Sequence, residues 1–279
     1  MHRIALLQMC SGIDPLINCA AIIDALDQAK AGGANVLFTP EMSLLLDANR
    51  KRASRFIFAE RSNEQLRRLQ TACKETGVWL ALGSSAVLGT AGRGTAGLFA
   101  NRSFVINGDG DIAARYDKIH MFDVDLASGE SWRESNAYQN GEEAVSCATP
   151  IGKLGLTICY DIRFPALYQA LGGHMCDVLA IPAAFTVPTG KAHWHIMQRA
   201  RAIEATAYVV AAAQTGDHAD GRTTYGHSLV VDPWGDVVLD MGAEPGLAFA
   251  DIDHALIADI RAQLPSLANR RPIAGRSAS

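Results

Sequence analysis

The sequence predicts an α/β fold in which two sheets pack together and helices lie outside. Three observations predict it. Apolar runs of strand length alternate with helical patterns in both halves of the chain. Turn signals between some of the runs mark antiparallel hairpins. No linker or change of composition separates the halves, so residues 1–279 read as one domain, with a polar tail over 265–279.

The elements follow in order. Arg3–Met9 reads as a strand, Ser11–Asp14 as a turn and Pro15–Ala31 as a helix with Ile17, Ala20, Ala21 and Leu26 on one side. Gly32 and Gly33 stop that helix. Asn35–Thr39 is a second strand ending at Pro40-Glu41, so strand, helix and strand form a parallel crossover. Ser62–Thr76 is a helix whose cap and first turn lie in Ser62-Asn63-Glu64-Gln65. Val78–Val87 is a strand, and Gly89–Gly97 a plain connection with no lysine to cradle a phosphate. Ala100–Ile106 and Ile112–Tyr116 flank Asn107-Gly108-Asp109-Gly110 and form a hairpin.

Asp117–Pro150 is long, polar and aperiodic, which suits a functional loop. Leu154–Cys159 is an apolar run that breaks at the cysteine into a short helix ending near Leu171. Val178–Ala183 is a strand and Gly190–Ala205 a helix with Ile196, Ala200 and Ile203 on one face. Tyr208–Gln214, Tyr225–Val231 and Val237–Met241 are strands, the last two joined by Asp232-Pro233-Trp234-Gly235. Leu247–Ile252 and the helix His254–Leu264 close the fold. The polar, basic tail from Ser266 is either frayed or laid on a neighbouring subunit.

Composition narrows the partners. A hydrophobic share of 49% and a charged share of 19% are ordinary for a globular protein. A formal charge of -4 leaves no basic footprint for nucleic acid. No apolar run reaches the ~18 residues of a membrane span, and the apolar stretch within Met1–Gln8 is too short for an export signal. Cys10, Cys19, Cys73, Cys147, Cys159 and Cys176 form no close-spaced pairs, which predicts reduced thiols and a cytoplasmic location. The eight histidines show no HExxH or other paired ligand pattern, so no metal is expected.

Three polar residues stand where apolar strands stop: Glu41, Lys118 and Cys159. Strand ends are where open α/β sheets build their sites. A thiol there can act as nucleophile, and a following helix start would favour its thiolate; otherwise Cys159 is a small buried hydrophobe. Glu41 and Lys118 could equally be a surface ion pair or solvated loop charges. Brought together, the three make a hydrolase set: the sulfur attacks, the carboxylate moves protons and the ammonium steadies an oxyanion.

The stretches around them resemble the nitrilase superfamily of carbon–nitrogen hydrolases in family order: FTPEMS with Glu41, RYDKIHMFDVD with Lys118 and LTICYDIRFPAL with Cys159. The resemblance runs over nearly the whole chain. It implies a four-layer αββα sandwich and a Glu-Lys-Cys triad that needs no metal or organic cofactor. It also implies an oxyanion site from Lys118 and the backbone N–H of Tyr160, and a supporting role for Glu134, which is otherwise a solvated loop acid. Family members are usually dimers or larger, so a homo-oligomer is expected.

The stretches 192–216 and 225–235 look like the Nit subgroup, whose substrates are amides of α-keto acids. The branch that splits deaminated glutathione into 2-oxoglutarate and cysteinylglycine is the reading the resemblance favours. An omega-amidase acting on 2-oxoglutaramate, or another small aliphatic amidase, is the alternative; the omega-amidase branch tends to place Asn and then Tyr after the glutamate, where this chain runs Met42, Ser43, Leu44, Leu45, Leu46, Asp47. A scaffold without catalysis is a third reading, against which the intact triad speaks. Carboxylate-bearing substrates call for a cation, and Arg163 is the candidate unless it pairs with Asp161. Phe185, Thr189 and Trp194 belong to a stretch that lines the pocket mouth in relatives.

Overall fold

The two halves of the chain build closely similar sheets. The computed structural model describes residues 1–89, 99–125, 129 and 131–273. In the first half come β1 (His2–Gln8), α1 (Pro15–Ala31), β2 (Val36–Phe38), α2 (Arg50–Ala53), α3 (Glu64–Thr76), β3 (Trp79–Leu88), β4 (Phe99–Ile106), β5 (Ile112–Asp117) and the short β6 (Asp123–Asp125), β7 (Ser131–Arg133) and β8 (Tyr138–Gln139). In the second come β9 (Val145–Thr149), β10 (Gly152–Leu156), α4 (Pro165–Gly173), β11 (Val178–Ala180), α5 (Val187–Ala205), β12 (Tyr208–Ala211), β13 (Thr215–Asp217), β14 (Thr223–Tyr225), β15 (Leu229–Val231), β16 (Val237–Asp240), β17 (Gly246–Ile252) and α6 (His254–Gln263).

One sheet runs β17-β1-β2-β3-β4-β5, with β8 added on β4; the other runs β16-β15-β12-β11-β10-β9. Each has a parallel core, β1-β2-β3 or β10-β11-β12, flanked by antiparallel strands. Side chains alternate across the strands, so each sheet buries two faces. Ile4, Leu6, Val36 and Phe38 from the first sheet meet Leu154, Leu156 and Val178 from the second in one apolar cluster. Ala5, Leu37, Leu80 and Leu82 point the other way, onto Ile22 and Leu26 of α1 and Leu66 and Leu69 of α3. Tyr168 and Leu171 of α4 and Trp194 and Ala202 of α5 pack with the second sheet. The result is the expected four-layer αββα sandwich.

Several expectations need correction. On α1 the buried residues are Pro15, Asn18, Cys19, Ile22, Ala25, Leu26 and Ala29, while Ile17 is 69% exposed and Ala20 and Ala21 face solvent. Its first half, before Asp24, is apolar on every side but for Asn18, so periodicity there could not choose. Asn18 chose: its side chain bonds the Gly12 backbone on both sides and the Leu44 carbonyl, which a buried amide requires. On α5, Ile196 and Ile203 are exposed, and the inner face carries Trp194, Gln198, Arg201, Ala202 and Ala205. Buried Arg201 bonds the Ile162 carbonyl and lies over the Tyr168 ring. That helix also starts earlier, at Val187, with Pro188 in its first turn.

The segment Asp117–Pro150 is not a plain loop but contributes β6 to β9. These strands are short and half exposed, so they carry no alternation to read. Gly226 and His227, at φ 73° and 55°, split the expected strand Tyr225–Val231 into β14 and β15. Beyond Gly89 the connection over 89–97 lies outside the described residues, as do residues 274–279 of the tail. The described part of the tail lies on its own chain, where Arg270 donates to the Gln169 carbonyl of α4 at 2.7 Å.

Gly83 in β3 decides how the first sheet meets the Glu41 segment. A Cβ there would collide with the backbone oxygens of Thr39 and Pro40. Glycine lets the neighbouring Ser84 bond this segment through the Pro40 carbonyl and the Ser43 N–H. Gly83→Ala is expected to destabilise the fold by about 1–3 kcal/mol through overpacking. The check is a lower urea midpoint with an unchanged slope.

Candidate active site

Glu41 follows β2, Cys159 follows β10, and Lys118 directly follows β5. Bonds across the sandwich show that these strand ends meet. Ala184, just past β11, donates its N–H to Glu41 Oε2 at 3.0 Å, and Gln214, past β12, donates to the Glu41 carbonyl at 2.9 Å. Lys118 extends the sheet by donating its N–H to the Asn101 carbonyl.

At the centre is a buried ion cluster. Lys118 Nζ lies 2.8 Å from Glu41 Oε1 and 2.9 Å from Glu134 Oε2, and the Lys118 side chain is 2% exposed. Glu134 opens a 3-10 turn (Glu134–Asn136) and also accepts the Phe122 N–H at 2.7 Å, so it is no solvated loop acid. Burial alone would raise the Glu41 carboxyl. The Lys118 charge and bonds from Lys118, Cys159 and Asn101 outweigh it and hold that carboxyl below its usual value, so Glu41 is ionised. Burial alone would likewise lower Lys118, but Glu134 and Glu41 hold it well above the ordinary lysine value.

Cys159 differs from expectation. It starts a 3-10 turn, Cys159–Arg163, and α4 begins only at Pro165, so no α-helix N-terminus faces the sulfur. Burial first, and then the Glu41 charge, push the thiol well above its usual value, with Lys118 pulling the other way. The resting sulfur is therefore a thiol bonded to the Glu41 carboxylate rather than a free thiolate. Its backbone is strained, with φ 47°, and is pinned by the Cys159 N–H to the Pro182 carbonyl at 2.8 Å. The arrangement offers a nucleophile, a charged base touching it and an ammonium beside both.

A cavity of about 610 Å³ opens over Cys159, Glu41 and Lys118. Phe185 and Thr189 line it, as does Tyr160. Trp194 does not: it is fully buried behind Phe185, at 4.9 Å between ring centroids, because its bulk fills the space between α5 and the second sheet. Several guanidinium groups border the cavity. Arg133 is paired with Asp125 and Arg222 with Asp220. Arg163 is not paired with Asp161; it reaches His193 Nδ1 and Met197 Sδ and lies over the Tyr160 and Phe185 rings.

Two residues that sequence reasoning missed support the cluster. Asn101 Nδ2 bridges Glu41 Oε1 at 2.9 Å and Glu134 Oε1 at 3.1 Å. Asp161 is wholly buried and accepts from Tyr116 Oη and from the His120 ring and N–H, as well as the Ile158 N–H. It thereby ties the Lys118 segment to the Cys159 segment. Asn101 sits inside an ordinary strand pattern, and Asp161 reads as a helix-start acid, so neither carried a distinctive signal.

Residues 3–262 match the carbon-nitrogen hydrolase family. The chain belongs to that family of hydrolytic enzymes. It is 40% identical over 275 residues to the deaminated glutathione amidase of Yersinia enterocolitica, a match covering 96% of this chain and 93% of that one. Its fold is similar to the NitFhit protein of C. elegans, with TM-score 0.87, 35% identity and 97% of this chain covered; the match spans 65% of that longer chain. It is also similar to an amidase from Nesterenkonia sp. AN1 carrying acrylamide at its active-site cysteine, with TM-score 0.77, 26% identity, and 95% of this chain and 98% of that one covered.

Asn101→Ala removes two hydrogen bonds to charged groups, each worth about 1.5–3 kcal/mol. The expected result is a fall in kcat of roughly ten- to hundredfold with little change in KM, since Asn101 does not border the cavity. Steady-state kinetics check it; an unchanged kcat would leave Asn101 a purely structural residue.

Proposed function

We propose that this enzyme is an amidase that hydrolyses deaminated glutathione to 2-oxoglutarate and cysteinylglycine. The observation that carries the reading is the contact of Glu41, Lys118 and Cys159 at the base of a cavity bordered by Arg163. The cavity falls within the roughly 300–1,000 Å³ usual for ligands of this size. Met42, Leu45 and Leu46, the run that separates this chain from the omega-amidase pattern, lie on its wall. The relatives named deaminated glutathione amidase support the same choice.

Glu41 takes the Cys159 proton as the sulfur attacks the amide carbonyl. Lys118 and the Tyr160 N–H steady the oxyanion, and Glu134 orients Lys118. Glu41 then protonates the departing cysteinylglycine amine, leaving a thioester. Water, deprotonated by Glu41, attacks that thioester, and the expelled sulfur recovers the proton. The Arg163 guanidinium pairs with the α-keto acid carboxylate, and Phe185 and Thr189 shape the wall.

We also place the protein in the cytoplasm, since its six cysteines are unbridged. Among the described residues no helix is long and apolar enough to cross a membrane. Copies of the chain associate through an apolar face formed by α5 and the β15–β16 turn: Ile196 and Ile203 of the helix and Trp234 of the turn are 68%, 50% and 53% exposed, and Ile203 packs beside Gly235.

The reaction needs Glu41 charged and Cys159 protonated. The first is held below its usual value and the second above it, so kcat/KM is expected to be flat across neutral pH. Its acid limb should lie below the roughly 4.3 of an ordinary glutamate. The stability that Glu41 contributes is likewise present above its unfolded value and lost as pH falls through the folded one. A pH–rate profile checks this, and a bell centred on neutrality would contradict it.

The deciding experiment compares deaminated glutathione with 2-oxoglutaramate, using Cys159→Ala as the blank. A kcat/KM at least tenfold higher for deaminated glutathione, abolished in the blank, is expected; the reverse ratio would overturn the substrate. In the same assay Arg163→Ala should raise KM tenfold or more without lowering the unfolding midpoint, and an unchanged KM would remove Arg163 from the site.

A further inference from the structure

Histidines that lie scattered in the sequence converge away from the catalytic cluster. His195 projects from α5 and places Nε2 3.0 Å from Asp240 Oδ2. His227, between β14 and β15, places Nδ1 2.9 Å from Asp240 Oδ1. One donor atom from each of the three lies within 4.8 Å of the other two. We propose that His195, His227 and Asp240 form a binding site for a divalent transition-metal ion of the zinc type, contrary to the expectation from sequence spacing.

The donor set fits that chemistry. Imidazole nitrogens with one carboxylate suit zinc and its neighbours, whereas magnesium and calcium prefer oxygen. A tetrahedral ion with bonds of about 2.0–2.2 Å holds its ligands roughly 3.4 Å apart. The two histidine–carboxylate separations, 3.0 and 2.9 Å, lie a little below that value and all three donor atoms lie within 4.8 Å of one another, so small side-chain rotations suffice. The side chains are 37%, 27% and 34% exposed for His195, His227 and Asp240, which leaves an entry path and room for water as a fourth ligand.

The framework is built to aim these groups. His227 is held at φ 55°, an unfavourable conformation for a residue with a Cβ. Its N–H donates to the Gly242 carbonyl at 2.7 Å, and its own carbonyl accepts from Trp194 Nε1 at 2.7 Å. The Tyr225 ring stacks on its imidazole at 4.5 Å, and Asp240 Oδ1 accepts the Gly242 N–H. Trp194 neighbours His195 and packs on Phe185, which lines the catalytic cavity. An ion here would not touch the substrate. It would clamp α5 to the β14–β15 corner and brace the cavity wall from behind.

The test uses the Cys159→Ala protein, so that the active-site thiol cannot bind the ion. After chelation and desalting, zinc chloride is titrated calorimetrically, and cobalt(II) is added separately to read its visible spectrum. The expected result is one saturable equivalent per chain, no competition by millimolar magnesium, and a raised thermal midpoint with zinc. His195→Ala and the near-isosteric Asp240→Asn, each added to that background and checked by circular dichroism, should weaken binding at least tenfold and abolish the thermal shift. No saturable equivalent, or equal binding by both variants, would overturn the site.

Discussion

The active site depends on one lysine shared by two carboxylates inside the protein. Glu41 could not stay charged there alone, because transferring an isolated carboxylate from water costs far more than a fold can spare. Lys118 makes its charge tolerable, and Glu134 and Glu41 in turn keep the lysine protonated. The three come from separate places: the end of β2, the end of β5 and the turn after β7. Removing Lys118 would leave two carboxylates without a counter-charge, so the lysine positions the segments as well as serving chemistry.

The geometry follows from building a sheet twice and pressing the copies together. Each parallel core delivers polar groups at its strand ends, and the sandwich sets one copy's Glu41 against the other copy's Cys159 and Ala184. Asp161 closes the joint by binding Tyr116 and His120 from the opposite half. Nucleophile and base are therefore fixed by the packing of two rigid layers rather than by a mobile loop.

Much of this was legible in the residues. Glu41, Lys118 and Cys159 stand where apolar runs stop, and that break survives in one dimension. The layers were legible because buried parallel strands read as continuous apolar runs. Helix faces were not, since the first half of α1 is apolar but for Asn18, and that buried asparagine set its orientation. Asn101 escaped notice because its partners lie across the fold, and Trp194 was set at the pocket although packing draws it behind Phe185. The thiol's protonation is hidden from the sequence for the same reason: burial is a property of the assembled layers, and here it outweighs the local turn.

That protonated sulfur has a consequence for durability. Peroxide and electrophiles attack thiolates far faster than thiols. A nucleophile that surrenders its proton only when a carbonyl is in place offers little to oxidants between turnovers.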